Sequence, residues 1–511
     1  MSAKRFKLTK VAKILILILI LAIAGGGIAV GMKTGAIKNG GDSDKPVSSG
    51  GVKNDESIDI SLDEWIGYTS LINANGGLTT QKGSIYDKLG LNVNFKIIND
   101  ADQSSNALIK GSLDGAGYTV NRTAFLSNKF DKAGVDVVMP YITNYSNGGD
   151  GIIATNDFKT VESLVDAKIG VPQFSEAHSM VVWLVNNSDL TNKEKDKIID
   201  DLIFFDTADE VAKAFFAGKI DVAATWQPYI TQARNMSDCH VLFSTENAKS
   251  MILSGILFRE DFAEENADLI AKFIDGSIQA IDTYGVDFDA SRDAMPMFSG
   301  MSDNDIKEMC ENAELTNWND NKELLNNNAP SVFTDMCEVW SSIGEKVNPT
   351  LVETLFDDSY IDIIADKYEF NETKKETNTI KLTDENTTDI KESVALLKKS
   401  ATVNFVANTA KFLDNAEASK ALDEFVKIAK TLDGSIIQIE GNIASDNDDA
   451  SGVTLSLQRA ETVKQYFVMN GIDADRIITV GNGGSKPVAP NDSEANMQMN
   501  RRTDVCFKLV E

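Results

Sequence analysis

The rhythm of apolar and polar positions divides the chain into six stretches. Residues 1–13 form a basic tail, and residues 14–32 form an uncharged run, ILILILILAIAGGGIAVGM. Residues 33–57 are rich in Gly, Ser, Asp and Lys and read as a flexible linker. From residue 58 to about 366, short apolar runs alternate with helical stretches, the pattern of an α/β unit with a mainly parallel sheet, long enough for two lobes. Strands are predicted at 58–62, 93–98, 115–119, 137–142, 151–154, 168–171, 202–205 and 222–226. Residues 367–399 lose the apolar period and read as a polar linker with a lead-in helix. In the last stretch, 400–511, Ala418, Leu422, Phe425, Ala429 and Leu432 recur at helical spacing and Gly434 closes them. A strand at 435–440, a helix at 455–469 and strands at 476–480 and 503–509 then predict a small α+β domain.

The 14–32 run would span the ~30 Å hydrocarbon core as a helix. Lys4, Arg5, Lys7, Lys10 and Lys13 precede it, so the tail is cytoplasmic and the bulk of the chain extracytoplasmic, giving a single-pass protein of the cell membrane. Ala22-Ile23-Ala24 also fits a signal-peptide cleavage site, and whether the segment is cleaved stays open. Apolarity that continues to Met32 favours the retained transmembrane helix.

Composition narrows the function. Of 511 residues, 49 are basic and 77 acidic, a net charge of −28, so nucleic acid is not an expected partner. Cys239, Cys310, Cys337 and Cys506 lie far apart with no C-x-x-C pair, and read as buried apolar fillers. His178 and His240 are the only histidines, and neither a metal nor a cofactor is expected. No G-x-S-x-G, H-E-x-x-H or Walker A run occurs, and Ser175 with His178 lacks an orienting third group, so the chain is read as a non-enzyme. The cluster at 446–449 lacks the Gly and Glu of a calcium loop and reads as a solvated turn.

In α/β sheets ligands bind beyond the carboxyl ends of strands. The runs found there are Asp63-Glu64-Trp65-Ile66-Gly67-Tyr68, Tyr118-Thr119, Phe174-Ser175-Glu176-Ala177-His178-Ser179 and Thr225-Trp226-Gln227-Pro228-Tyr229. The helix start at Ser175 could cradle an anion with backbone N–H groups. The aromatic faces of Trp65, Tyr68, Tyr118 and Trp226 could wall an apolar part. Core packing for the tryptophans, simple capping for Ser175 and a satisfied, partly buried His178 are the competing readings.

Three runs together carry a resemblance: AL-x-x-GSLDGAGYT, GDGIIATNDFKTVESLVDAKIGVPQFSEAHS and AFFAGKIDVAATWQPY. Over residues 55–365 the chain resembles the periplasmic solute-binding proteins of nitrate, sulfonate, taurine and thiamine-precursor ABC transporters. The resemblance implies the two-lobed periplasmic-binding-protein fold. It places ligand contacts at Trp65, Gly67, Tyr68, Tyr118, Thr119, Phe174, Ser175, Ala177, His178, Ser179, Thr225, Trp226 and Pro228.

Residues 400–511 resemble the OmpA-like peptidoglycan-binding domain through Leu455-Ser456-x-x-Arg459-Ala460-x-x-Val463, the stretch from Gly471 to Gly483, and Asn500-Arg501-Arg502. The resemblance implies that Arg459 takes the carboxylate of a wall diamino acid and that Asn408 lines the pocket. Arg501 and Arg502 read as structural. The family's aspartate, which holds the ammonium, is replaced here by Ala444 in Gly441-Asn442-Ile443-Ala444, with Asp446 or Asp448 as substitutes. The combined expectation is a tethered receptor for a small anionic or zwitterionic solute, partnered by an ABC permease and held near peptidoglycan. The alternative is a structural or sensory envelope protein.

Overall fold

The computed structural model describes residues 57–298, 300–369, 382–383, 386–446 and 449–509. The basic tail, the 14–32 run and nearly all of the first linker lie outside the described residues. Among the described residues no helix is long and apolar enough to cross a membrane.

The first four strands are β1 (Ser57–Leu62), β2 (Asn92–Ile97), β3 (Gly115–Thr119) and β4 (Val137–Ser146). They are followed by β5 (Asp150–Thr155), β6 (Ile169–Pro172), β7 (Ile203–Phe205), β8 (Val222–Trp226) and β9 (Cys239–Ser244). Next come β10 (Leu253–Arg259) and β11 (Ala313–Leu315). They form two sheets, ordered β11-β4-β10-β3-β1-β2 and β7-β6-β8-β5-β9. Each sheet is the centre of one lobe, and the chain passes between lobes at 147–149 and 245–252. The two lobes repeat one plan: three strands in parallel order, then a strand that arrives from the other lobe.

Four strands of each sheet run in one direction, as a mainly parallel α/β unit predicts, and the plan adds strands that run against them. β5 and β10 enter from the opposite lobe and must run against their neighbours. β5 is therefore antiparallel to β8 and β9, and β10 to β3 and β4. β4 is buried along its whole length, apolar from Val137 to Ile142 and polar at Thr143, Asn144 and Ser146 where it nears the lobe boundary.

The C-terminal sheet comprises β12 (Leu397–Ala401), β13 (Ile436–Gly441), β14 (Ile477–Gly481) and β15 (Thr503–Lys508), in the order β12-β15-β13-β14. β13 and β14 are parallel, joined through the helix Ala450–Met469, which packs on both. Asp414 caps the helix Asn415–Thr431, and Asp449 caps the helix Ala450–Met469 by accepting the Gly452 N–H at 2.6 Å. All four cysteines are free and buried.

Candidate functional site

Three polar side chains from one lobe and one from the other meet at the strand ends. Thr119 ends β3 and caps the helix Val120–Ala133 by accepting the Arg122 N–H at 2.9 Å. Its hydroxyl donates to Glu176 Oε1 of the second lobe at 2.7 Å. Arg122 reaches the same carboxylate, with Nη2 3.0 Å from Oε2 and Nε 3.3 Å from Oε1. Burial disfavours the Glu176 charge, but Arg122 and the hydrogen bonds outweigh it, and the carboxyl stays below its ordinary range.

Asp63 follows β1 and faces the same space. It is exposed to water yet crowded by protein, and desolvation, then the Glu176 charge, pushes its carboxyl up to about 7. Asp150, at the crossover into the second lobe, is buried and also pushed up to about 7, by desolvation first and then by Glu176 and Asp63. Its carboxylate accepts the Ser146 hydroxyl at 2.7 Å. The site thus holds three carboxyl groups and one guanidinium.

Trp65 and Trp226 border the crossover. Trp65 Nε1 donates to Asn144 Oδ1 at 2.8 Å, and its ring leaves no room for a Cβ at Gly149, which would come within 2.6 Å. Trp226 is half-buried and pairs in register with Asp150. Tyr118 is turned into its lobe, donating to Ser104 Oγ at 2.8 Å, and Gly67 is buried. Tyr68 is buried against Gly117, where a Cβ would stand 2.8 Å from its ring.

Phe174 has φ +56°, a left-handed conformation that costs an aromatic residue about 1–2 kcal/mol and that packing must hold. Its ring stacks on Phe125 of the first lobe at 4.8 Å. Ser175 accepts the His178 N–H at 3.2 Å and donates to Pro172 O at 2.7 Å, so its hydroxyl serves the helix Glu176–Asn186. His178 is buried; Nδ1 accepts the Phe174 N–H at 3.2 Å, and desolvation lowers its pKa to about 4, so the ring is neutral. Ser175 and His178 meet through the backbone and not through the ring, which is no nucleophile–base pair. Ser179 Oγ accepts Asn121 Nδ2 across the lobes at 3.3 Å. Ala177 and Thr225 are buried, whereas Pro228 is exposed.

The structure therefore brings Thr119, Phe174, Ser175, His178 and Ser179 to the lobe boundary, and Trp65 and Trp226 to the crossover. Sequence reasoning missed Arg122 and Asp150, and it placed Asp63 and Glu176 in strand-end runs without giving either a role. The strand-end rule, extended into the first helical turn, would have found Arg122.

In the C-terminal domain Arg459 Nε donates to Thr409 O at 3.0 Å, and its guanidinium lies 4.8 Å over the Phe405 ring. Desolvation and then the Arg501 charge lower its pKa. Asn408 is exposed at φ +56°, a conformation asparagine tolerates. Asp446 accepts Asn491 Nδ2 at 2.9 Å, and Asp448 lies outside the described residues. Arg502 Nε donates to the buried Asp504 at 2.9 Å, a structural contact.

A two-lobed α/β fold joined to a small α+β domain is the class these features define. Residues 404–501 match the OmpA family. A peptidoglycan-associated lipoprotein from Buchnera aphidicola subsp. Baizongia pistaciae is 30% identical over 137 residues, covering 26% of this chain and 78% of that protein. An outer membrane protein A from Bordetella avium is 36% identical over 89 residues, 17% of this chain. This chain spans 46% of that protein's length. Through its C-terminal domain the chain belongs to the OmpA family. The structure is also similar to the periplasmic aliphatic sulphonate binding protein SsuA from Escherichia coli, with a TM-score of 0.46 and 16% identity, covering 60% of this chain and 99% of that one.

Proposed function

We propose that the chain is a membrane-tethered, extracytoplasmic solute-binding component of an ABC importer. In this reading its OmpA-like domain holds it near peptidoglycan. The observation that carries this is the polar cluster at the lobe boundary, where Asp63, Thr119 and Arg122 of one lobe meet Glu176 of the other. Hinged lobes that each contribute polar groups to one gap are suited to close on a small molecule. A simple anion would meet three carboxyl groups, so the arrangement favours a zwitterion such as an amino-sulfonate or an amino acid. Its anionic end takes Arg122 from Glu176, and its ammonium faces Asp63 and the released Glu176. In the wall domain, Arg459 without an aspartate partner suits a carboxylate that carries no nearby ammonium.

Thermal-shift screening of the chain against amino-sulfonates, amino acids, nitrate and pyrimidines tests the solute reading, because a ligand of the folded state raises the melting temperature. A zwitterion should shift it and nitrate should not. No shift with any zwitterion contradicts the reading. A structural or sensory role is the second reading. It is favoured by the direct bridges that Arg122, Phe125 and Asn121 make across the lobe boundary.

A further inference from the structure

The two crossovers are tied together inside the binding domain. Thr245 Oγ1, on the second crossover, lies 2.8 Å from Ser146 Oγ and accepts the Gly148 N–H of the first at 2.9 Å. The outer half of the second crossover faces the C-terminal domain instead. Lys249 N–H donates to Asp433 Oδ1 at 3.0 Å, and Gly434 N–H donates to Asn247 O at 3.0 Å. The contact is backbone against backbone: a Cβ at Gly434 would stand 2.8 Å from Asn247 Cα.

The turn that makes this grip is itself rigid. Buried Arg476 donates to Ser435 O at 3.0 Å, Leu432 O at 2.6 Å and Ala429 O at 3.2 Å, locking both sides of Asp433 and Gly434. Elsewhere the C-terminal domain is fastened to the second lobe. Val161 N–H donates to Leu396 O at 3.0 Å and Asp189 N–H to Lys398 O at 3.1 Å, while the Asp189 carboxylate accepts Ser400 N–H at 2.9 Å and Ser400 Oγ at 2.6 Å.

A third attachment reaches towards the first lobe. Lys427 pairs with Asp335 at 2.6 Å and Glu338 at 2.9 Å on the helix Ala329–Ser342. Trp340 of that helix donates to Asn121 O at 3.3 Å and packs on Phe125, both in the first lobe's helix Val120–Ala133. The C-terminal domain thus holds the second lobe, the crossover and a helix that bridges the lobes, its Trp340 packing on Phe125 of the first and on His178 of the second.

From this we propose that the C-terminal domain is a clamp on the hinge. While it is docked the lobes are held in one relative orientation, and when it lifts they are released. A rotation of one lobe about the crossovers would displace 247–249 from Asp433 and Gly434 and pull Asp335 from Lys427. By linkage, whatever draws the C-terminal domain off its seat shifts lobe closure, and lobe closure shifts docking by the same factor. The inference needs lobes that move but does not depend on which solute they hold.

The test is a spin-label distance measurement on the full chain with no solute added. Exposed Lys110 of the first lobe and exposed Lys219 of the second are changed to cysteine and labelled, the native cysteines being buried. The parent chain should give one narrow distance distribution. Asp433→Ala with Gly434→Ala should at least double its width or add a second distance, and Lys427→Glu should do so to a lesser degree. Lys420→Ala, an exposed change on the same helix as Lys427, should leave it unaltered. Distributions that superimpose on the parent for both the double variant and Lys427→Glu would overturn the clamp.

Discussion

Replacing Asp150 with asparagine should flatten the loss of stability that the chain suffers as pH rises. Asp150 is buried where the chain enters the second lobe, and desolvation, with Glu176 and Asp63 adding to it, pushes its carboxyl from 3.8 up to about 7. An acid whose folded pKa is raised destabilises the fold progressively from its unfolded pKa up to its folded one, because the unfolded chain ionises first. At about 1.4 kcal/mol per pH unit, the full effect is about 4 kcal/mol, of which about 2–3 kcal/mol falls between pH 5 and 8. Asparagine keeps the shape and an acceptor for Ser146, at a constant cost of about 1 kcal/mol for the weaker hydrogen bond. Urea unfolding followed by tryptophan fluorescence at pH 5, 6, 7 and 8 gives both slopes. The variant should gain about 2–3 kcal/mol relative to the parent between the ends of that range. Parallel curves for variant and parent would refute the assignment of a proton to buried Asp150.

Glu176→Gln removes the ion pair that spans the lobes and leaves Arg122 half-buried without its carboxylate. It should cost about 1.5–3 kcal/mol, read as a lowered unfolding midpoint in urea, with Glu176→Asp recovering part of the loss. In the C-terminal domain, Ala444→Asp puts back the carboxylate that the OmpA-like resemblance implies as the ammonium acceptor. It should raise affinity for a diamino-acid muropeptide roughly ten- to a hundredfold by calorimetry, and an unchanged affinity would show that the pocket has lost the family geometry.

Much of the fold was legible because local pattern carries it. The strand 115–119 falls on β3 residue for residue, and the start of β4 and all of β8 were read from their apolar runs and turn residues. β9 and β10 were not read. Leu253–Arg259 contains Gly255, whose missing side chain makes room for Met139 of β4, a reason that exists only once the two strands are paired. The reversed direction of β5 and β10 was illegible for the same cause, since only the passage between lobes sets it.

The site divides in the same way. Aromatic residues at strand ends were easy to notice, yet Tyr68 and Tyr118 are turned inward by hydrogen bonding and packing that the sequence does not display. The Arg122–Glu176 pair joins residues separated by 54 positions and by a lobe boundary, and nothing in either neighbourhood announces the other. Ala444 is the opposite case. A single residue read against the family motif exposed a departure from the pattern without any geometry.

The central claim is that the gap between the lobes holds a small solute through Arg122 and Asp63. A native mass spectrum of the full chain, purified gently from its own envelope, tests it most directly. One small zwitterionic adduct per chain is the predicted result, absent from both Arg122→Ala and Asp63→Asn. A spectrum without any adduct, after equilibration with the zwitterions of the screen, would contradict it.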